Sequence, residues 1–511
     1  MSRIASPSIL VCGAGPTGLV TAIELARRGV DVEIVDEAAT PSTLSKAAAI
    51  WRRTLEVLHG SVPAATFVEP GRILSGIRLE VDGRVLREVA FPSASGTFPQ
   101  GLLLPQSETE RILSQALNRL GVSVRRDCRL ASLSSESDGV HVDFVESGNQ
   151  RRRRFDWVVG ADGAHSAVRH AMGIDFPGES VNRRWLLADL DLADAGPDDK
   201  LRAFLASEGM IALFPYGGER WRLIADGGPV APETPRRDPD RAEIEAILRR
   251  RTGVPWSIRE THWLADFRVS ERQIERYRHG RILLAGDAAH VHSPAGGQGM
   301  NTSIQDAVNL AWKLALVAQG VCDERLLDTY DAERHPVAAE VLRDSGRMLR
   351  AAMNQGAVVG WMKRHVLPRI LGFGRIQRRV VRSLSEVGVH YHGGPLGSSN
   401  WDRWIGRRCP DRPFDGMPTV YDLLRDPRLC VIELGAVLPE AADRPSWRAL
   451  DVHWHRAADA DGSISESAAA FAKTLGVDHP SLVVLRPDGY LGPVGATIDQ
   501  VSDWIETLRV K

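Results

Sequence analysis

The order of apolar and polar residues predicts a mixed α/β chain, and its central pattern lies at residues 281–315. The apolar run at 282–285 predicts a short buried strand, which ends at Gly286 and Asp287. From Ile304 onwards, apolar residues recur every three or four positions, and this spacing predicts a helix with one buried face. The sequence therefore predicts a strand, a loop and a long helix.

The loop between this strand and this helix is rich in glycine and proline, at Pro294, Gly296, Gly297 and Gly299. Glycines let backbone N–H groups approach a ligand closely, and the start of a helix favours negative charge. With the acidic Asp287 beside it, the loop is suited to a large cofactor that carries both hydroxyl groups and charge.

Residues 8–37 predict a strand, a tight turn, a helix and a second strand. In the turn, Gly13 permits the sharp bend, Gly15 lets a pyrophosphate approach, and Gly18 lets the helix pack closely. Asp36 ends the second strand, where a carboxylate can hold a ribose hydroxyl. This pattern predicts a dinucleotide site without separating NAD from FAD, and the further glycine motifs are more than a simple NAD domain needs.

A third pattern lies at residues 155–174, where an apolar strand ends at Asp162 and Gly163. Ser166 and Arg169 follow on one predicted helical face. By itself this could be an ordinary turn between a strand and a helix. Together with the other two motifs, it indicates a shared site.

The middle of the chain changes character. Residues 73–98 and 180–275 alternate as strands do, which predicts a half-exposed antiparallel sheet. Many of its aromatic residues are expected in the core, but a sheet facing a cofactor could use several to hold a planar substrate. Arg222 and Asp226 are candidates for polar contacts to that substrate. The aromatic residues in question are Trp185, Phe204, Phe214, Tyr216, Trp221, Trp263 and Phe267.

Composition narrows the class of protein. The 64 basic and 65 acidic residues give a net charge of -1, so nothing indicates a nucleic-acid partner, and the run Arg151 to Arg154 is interpreted as a solvated turn. No apolar run is long enough for a membrane span and no leader pattern opens the chain, so a cytoplasmic enzyme is expected. The 5 cysteines show neither a C-x-x-C pair nor metal-ligand spacing, which argues against disulfides and zinc.

With 511 residues, the chain should form more than one domain. Its three motifs, in this order and spacing, resemble those of the FAD-dependent aromatic hydroxylases, the single-component monooxygenases built like para-hydroxybenzoate hydroxylase. The resemblance covers residues 8 to about 390, and the tail resembles the thioredoxin-like extension of the phenol and polyketide hydroxylases. It implies an α/β fold with a Rossmann-like FAD-binding domain (1–72, 100–178 and 276–390), an inserted antiparallel-sheet substrate domain (73–99 and 179–275) and a thioredoxin-like domain (400–511).

The resemblance also implies which residues hold FAD. Asp36 stands where the family usually has glutamate, and Glu37 follows where arginine is common, so the sequence departs from the family pattern on the adenine side. Pro294 would lie near the reacting edge of the flavin. The implied FAD-binding residues are Gly13, Gly15, Gly18, Asp36, Lys46, Gln106, Asp162, Gly163, Asp287, Pro294, Gly297, Gly299, Met300 and Asn301.

In such enzymes NADPH or NADH reduces FAD, O2 then forms a flavin C4a-hydroperoxide, and this species hydroxylates an aromatic ring. The tail and the aromatic sheet indicate a polycyclic, polyketide-type substrate of antibiotic biosynthesis, bound by residues such as Phe214, Tyr216, Trp221 and Arg222. Two alternatives stay open, a Baeyer-Villiger or epoxidising oxygenation and a non-catalytic FAD-binding or ligand-binding role. The oligomeric state is also open, with a homodimer among the options.

Two histidines in the segment 281–315 suggest an acid and base pair. His290 directly follows the segment of Asp287 and is interpreted as structural, whereas the role of His292 is left open.

Overall fold

The computed structural model describes residues 8–43, 47–81, 83–92, 96–193, 195–196, 198–206, 208–353, 361–362, 365–392, 396, 402–436 and 445–509. Among these residues, no helix has the length and apolar character needed to cross a membrane. The first half of the chain contains β1 (Ser8–Cys12), α1 (Pro16–Ala26), β2 (Asp31–Val35), β3 (Ala49–Trp51), α2 (Arg52–Leu58), α3 (Ala64–Val68), β4 (Arg72–Ile73), β5 (Gly76–Val81), β6 (Arg84–Ala90), β7 (Gly101–Leu103), α4 (Gln106–Arg119), β8 (Val124–Arg125), β9 (Cys128–Glu136), β10 (Gly139–Glu146), β11 (Asn149–Phe155), β12 (Trp157–Gly160), α5 (Ala167–Ala171), β13 (Gly178–Ala193), β14 (Lys200–Ala206), β15 (Gly209–Gly217) and β16 (Arg220–Pro229).

The second half begins with a helix that packs on the middle sheet and ends in a small α/β unit. It contains α6 (Arg241–Thr252), β17 (Ser257–Gln273), β18 (Arg278–His279), β19 (Ile282–Leu284), β20 (His290–Val291), α7 (Gly299–Ala318), α8 (Asp328–Met353), α9 (Leu367–Ile370), α10 (Gly374–Leu384), β21 (Cys430–Leu434), α11 (Pro445–Ala449), β22 (His453–Ala457), α12 (Glu466–Leu475), β23 (Ser481–Leu485), β24 (Leu491–Ala496) and α13 (Ile498–Arg509).

The first sheet has the strand order β18-β19-β12-β1-β2-β8. Strands β19, β12, β1, β2 and β8 run parallel, and β18 pairs antiparallel at the edge. Strands β1, β12 and β19 are buried along almost their whole length, as their apolar runs predict. This is the predicted Rossmann-like α/β arrangement.

The second sheet has eight strands in the order β20-β17-β13-β16-β15-β14-β5-β6. Most neighbours run antiparallel, and only β14 and β5 pair in parallel. Alternate residues point to opposite faces. One face packs on α6 through a compact apolar cluster that includes Leu186, Leu213 and Leu223, and the other face turns towards the loop before α7.

Helix α7 differs from its prediction. The spacing of apolar residues predicts one buried face, but all its residues from Met300 to Val317 are buried except Leu316. The polar residues of the opposite face are covered by α8 and by the C-terminal unit, so their burial depends on contacts far away in sequence. The interpretation of Arg151 to Arg154 as a turn was also wrong, because these exposed residues lie on β11 in a hairpin with β10.

The C-terminal unit contains the sheet β22-β21-β23-β24. Strands β21 and β22 run parallel, whereas β23 pairs antiparallel with β21 and β24 pairs antiparallel with β23. This is a small α/β unit, as predicted. Its apolar residues join the core of the first sheet in one continuous cluster.

A buried set of charges ties this unit to the helices. Glu333 of α8 accepts hydrogen bonds from both terminal nitrogens of Arg486 at 2.7 Å, from Lys313 at 2.7 Å and from Asn309 at 2.8 Å. Asp488 also bonds Arg486 and Asn309. Burial alone would raise the pKa of Glu333, but the nearby cations hold it at about 2. We call these five residues the Glu333 network.

Candidate functional site

The three sequence motifs meet at the carboxyl ends of neighbouring strands of the first sheet. Gly13 follows β1, Asp162 follows β12 and Asp287 follows β19, and these three strands are parallel neighbours. The carboxyl ends of parallel strands therefore bring the motifs together, which is where open α/β sheets bind ligands.

Close packing explains two of the motif glycines. Gly13 has a φ of +97°, and a Cβ there would collide with the backbone of Ala161 and Asp162. A Cβ on Gly18 would collide with the carbonyl of Gly13. By contrast, a Cβ on Gly15 would meet nothing within 4 Å. The turn is thus fixed by its first and third glycines and leaves open space at the second, where a pyrophosphate is expected.

The motif at residues 281–315 also packs on the motif at residues 8–37. Gly286 has a φ of +61°, and a Cβ there would meet the hydroxyl of Thr17 at 2.6 Å and the side chain of Ser303 at 3.0 Å. Its N–H donates to Asp306 at 3.3 Å. Asp306 in turn accepts from Arg334 at 2.7 Å. These contacts fix the backbone beside Asp287.

The residues predicted near the adenine and phosphates have different surroundings. The carboxylate of Asp36 accepts from the N–H of Ala14 at 2.6 Å, so it braces the glycine turn. Gln106 accepts from the N–H of Ala47 at 3.1 Å and holds the segment that follows Lys46. Lys46 itself lies outside the described residues.

Asp162 lies beside the glycine turn. Its Oδ2 accepts from the N–H of Val168 at 3.1 Å, while its buried Oδ1 has no hydrogen-bond partner among the described residues. Burial raises the pKa of this carboxyl. Gly163, at a φ of +82°, borders open space. An unpaired acceptor next to an open glycine fits a ligand that donates a hydrogen bond.

Asp287 is exposed although β19 before it is fully buried, so its carboxylate is accessible to a ligand. Helix α7 begins nearby at Gly299, and Gln298 does not cap it with its side chain. The first turn contains no acidic residue. The first N–H groups of a helix lack partners within the helix, so those of Gly299, Met300 and Asn301 can bind an anionic edge.

The side chain of Asn301 has a structural task. Its oxygen accepts from the N–H of Trp51 at 2.8 Å, and its nitrogen donates to Ala49 and Gly297 at 2.9 Å each. Pro294 accepts from the N–H of Gly297 at 2.9 Å and closes the loop. Only the backbone of Asn301 is therefore available to a cofactor.

The two histidines of this region differ. His290 is buried and lies 2.6 Å from Asp306, which agrees with its structural interpretation. His292 contacts the carbonyl of Ser293 through Nδ1 at 2.9 Å, and its buried Nε2 has no partner among the described residues. Burial lowers the pKa of His292 to about 4, so the ring is neutral near pH 7.

The face of the second sheet that turns towards the loop carries polar and aromatic side chains. Phe214, Tyr216 and Arg222 lie on this face, and Phe214 and Tyr216 pack against the apolar cluster around Trp51. Trp221 packs on the opposite face under α6. Because neighbours along a strand point to opposite faces, the structure separates Trp221 from the other predicted substrate residues.

Arg222 is buried and forms a two-pronged ion pair with Asp189, with distances of 2.8 and 2.7 Å. Tyr216 has a buried hydroxyl without a partner in the described part of the chain, and burial raises the pKa of this phenol. Asp226, another sequence candidate, is held by Arg183 at 3.0 Å. Tyr216 thus offers a hydrogen bond to a bound molecule, whereas Asp226 is engaged within the protein.

Sequence reasoning missed Glu386, which has no motif around it. It lies two residues after the end of α10, has a φ of +57°, and accepts hydrogen bonds from Thr302 at 3.0 Å and from Gln305. Burial raises the pKa of Glu386 to about 7. This carboxyl joins the first turns of α7 to α10, and a single residue after an amphipathic helix gives no sequence signal for such a contact.

Comparison with known proteins agrees with this geometry. Residues 7–345 match the family model described as "FAD binding domain". The chain is 35% identical to a 6-methylpretetramide 4-monooxygenase from Streptomyces rimosus, covering 96% of this chain and 91% of that protein. It is 30% identical to a rifampicin monooxygenase from Streptomyces venezuelae, covering 94% of each.

Among solved structures, an anhydrotetracycline hydroxylase from Streptomyces rimosus superposes with a TM-score of 0.81 at 30% identity, covering 98% of both chains. The buried oxygen of Asp162 that has no partner among the described residues, the open Gly15 and the uncapped start of α7 fit a flavin dinucleotide. The chain therefore belongs to the FAD-dependent aromatic hydroxylases, and it is an FAD-dependent monooxygenase.

Proposed function

We propose that this enzyme uses NADPH or NADH and O2 to hydroxylate an aromatic substrate of the polycyclic polyketide type. The observation that carries the proposal is the opposition of two surfaces. One is the loop from Pro294 to Asn301, and the other is the sheet face with Phe214, Tyr216 and Arg222. Ala295 of the loop packs in the same cluster as Phe267 of the sheet.

The substrate class rests on the relatives. Their names refer to 6-methylpretetramide, rifampicin and anhydrotetracycline. The sheet face supplies aromatic side chains for stacking on a ring system, and the Tyr216 hydroxyl supplies a hydrogen bond. Trp221 is left out of this proposed site because it packs under α6.

FAD would be held mainly by backbone groups and carboxylates. We assign the pyrophosphate to the turn at Gly15, a ribose to Asp36, the ribityl chain to Asp287 and the flavin side nearest β12 to Asp162. Lys46 and Gln106 complete the proposed set on the phosphate side. When bound, the flavin supplies the transfer of electrons from the nicotinamide donor and the activation of O2.

The chain itself must orient the substrate and exclude water. The start of α7 carries partial positive charge that favours negative charge on the adjacent ring system. Apolar residues on both sides of the loop, including Trp185, Leu349 and Leu384, keep the surroundings dry. Neutral His292 offers an acceptor close to Gly299, since a Cβ on that glycine would lie 3.6 Å from its Nε2.

The test is a panel of phenols and polycyclic aromatic compounds added to the FAD-loaded enzyme with NADPH or NADH. We expect polycyclic members to accelerate oxidation of the donor and to gain one oxygen atom from 18O2 as a ring hydroxyl. An ester or epoxide product would show instead the Baeyer-Villiger or epoxidising alternative. Absence of donor oxidation with every compound, despite bound FAD, would contradict the proposal.

A further inference from the structure

A separate cleft lies behind the apolar wall of the proposed aromatic site. It has a volume of about 830 Å³, which is within the range of small-molecule sites. Its walls come from α10, from the residues after β6, and from the segment between α10 and β21. Five arginines line it, and the described lining residues include no aspartate or glutamate. These arginines are Arg378, Arg379, Arg382, Arg407 and Arg408.

The charge on α10 has no counterpart within the described part of the chain. Its sequence, GRIQRRVVRSL, contains four arginines and no acid. Arg378, Arg379 and Arg382 form no hydrogen bond or ion pair with any other described residue, while the described Arg408 is paired with Glu56 at 2.6 Å. Like charges three and four positions apart destabilise a helix, so an external anion in this cleft would stabilise α10.

The cleft also offers groups for a ring. Trp404 and His390 line it together with Gln377, and Nε2 of His390 donates to the carbonyl of Ile405 at 3.2 Å. Arginine side chains bind phosphate oxygens in pairs and stack on planar bases. A concave pocket with several arginines, an indole and an amide matches a phosphorylated nucleotide better than it matches a flat acidic protein surface.

We propose that this cleft binds a phosphorylated nucleotide, and that the reduced pyridine nucleotide consumed by the enzyme is its ligand. The identity of the ligand rests on the proposed function, whereas the nucleotide class rests on the cleft alone. Val381 lines the cleft and also packs in the cluster with Phe214 and Tyr216. Helix α10 is thus shared between the nucleotide cleft and the proposed aromatic site.

The experiment titrates FAD-loaded enzyme with NADP+, ATP and pyrophosphate by calorimetry, using wild type and the double variant Arg378→Gln/Arg382→Gln. We expect Kd for NADP+ to rise at least tenfold in the variant and KM for NADPH to rise in parallel, with kcat retained. Competition by pyrophosphate would support recognition through the phosphates. The matched control is Arg151→Gln/Arg152→Gln, which removes the same charge from the exposed strand β11 and should change neither constant.

The inference is overturned if the affinities of the variant for NADP+, ATP and pyrophosphate all stay within twofold of those of the control. That result would also be expected if an acidic protein, and not a nucleotide, bound α10. The single variant Arg379→Gln gives a second reading if the double variant folds poorly. The two proposals fail separately. If wild type oxidises NADPH and the variant shows the same KM for NADPH, only the assignment of the cleft is contradicted. If wild type never oxidises NADPH, the proposed function is contradicted, and calorimetry still tests whether the cleft binds a nucleotide.

Discussion

Two groups of buried polar atoms beside α7 are built in opposite ways. In the Glu333 network, both carboxylates and the ammonium of Lys313 all have hydrogen-bond partners within the protein. Around the proposed FAD and substrate site, Asp162, Tyr216 and His292 each bury an atom that has no partner among the described residues. Buried polar groups are normally paired, so the second group indicates a place where a ligand completes the bonding.

The difference separates the parts of the chain that hold the fold from those that bind. The satisfied network lies between α7, α8 and the C-terminal unit. The unsatisfied atoms lie around the carboxyl ends of β1, β12 and β19 and on the facing sheet. Substitutions in the two groups should therefore change different measurements.

The largest effect is expected from Glu333→Gln. The change leaves Arg486 and Lys313 buried with only Asp488 as counter-charge, and removing one member of a buried ion pair typically costs about 3–5 kcal/mol. Urea unfolding of the FAD-free protein measures the loss. The control Glu324→Gln removes an exposed partner of Arg278 and should cost less than about 0.5 kcal/mol. Equal losses of unfolding free energy in both variants would contradict the expected difference between the buried Glu333 and the exposed Glu324.

Glu386→Gln should change the pH dependence of stability. Burial raises the pKa of Glu386 to about 7, so the folded protein holds a proton that the unfolded chain releases near pH 4.5. The contribution of this group to the free energy of unfolding therefore falls as pH rises between those two values. The loss amounts to at most about 3 kcal/mol. His292 acts in the opposite direction between about pH 4 and 6.5, so the wild type and variant slopes must be compared.

Urea unfolding at several pH values from 5 to 8 provides the measurement for Glu386→Gln. The free energy of unfolding of the variant should fall less steeply with rising pH than that of the wild type. Parallel curves would show that the buried carboxyl does not titrate in this range.

Asp287→Ala tests whether this carboxylate binds FAD. Loss of this exposed carboxylate should weaken FAD binding by about 10- to 100-fold, which corresponds to one or two hydrogen bonds. The free energy of unfolding of the FAD-free protein should change by less than about 0.5 kcal/mol, because the carboxylate is not packed in the core. The control Asp478→Ala removes an exposed aspartate of the C-terminal unit. A variant that retains FAD like the control would remove Asp287 from the site.

The smallest effect on stability is expected from Tyr216→Phe. Removing a buried hydroxyl without a partner in the described part of the chain should leave the free energy of unfolding within about 0.5 kcal/mol. KM for an aromatic substrate should rise severalfold if the hydroxyl bonds that substrate. Trp221→Phe, on the opposite face of the same sheet, should lower stability and leave KM unchanged.

The strand, loop and helix of residues 281–315 were predictable because glycine positions and apolar spacing are local signals. Gly13, Gly18 and Gly286 each avoid a collision, and such constraints leave a readable pattern. Because neighbouring residues of a strand point to opposite faces, the sequence could have placed Trp221 and Arg222 on different faces of the sheet. The prediction instead grouped them, because an aromatic side chain suits a planar substrate.

The Glu333 network and Glu386 could not be predicted from local patterns. Lys313 and Asn309 look like the polar face of an amphipathic helix, and only Arg486, more than 150 positions away, shows that this face is buried. The side chain of Asn301 is a similar case, since its partner Trp51 lies 250 positions earlier. Long-range pairing of polar groups has no periodicity to reveal it.

The position of Asp488 has a practical consequence for recombining related genes. This residue belongs to the C-terminal unit, yet it bonds Asn309 and Trp312 in the middle of α7. A chimera joined in the segment before β21 would pair one parent's carboxylate with another parent's helix. Viable crossovers should therefore keep residues 309, 312, 333, 486 and 488 from the same parent, wherever the junction itself is placed.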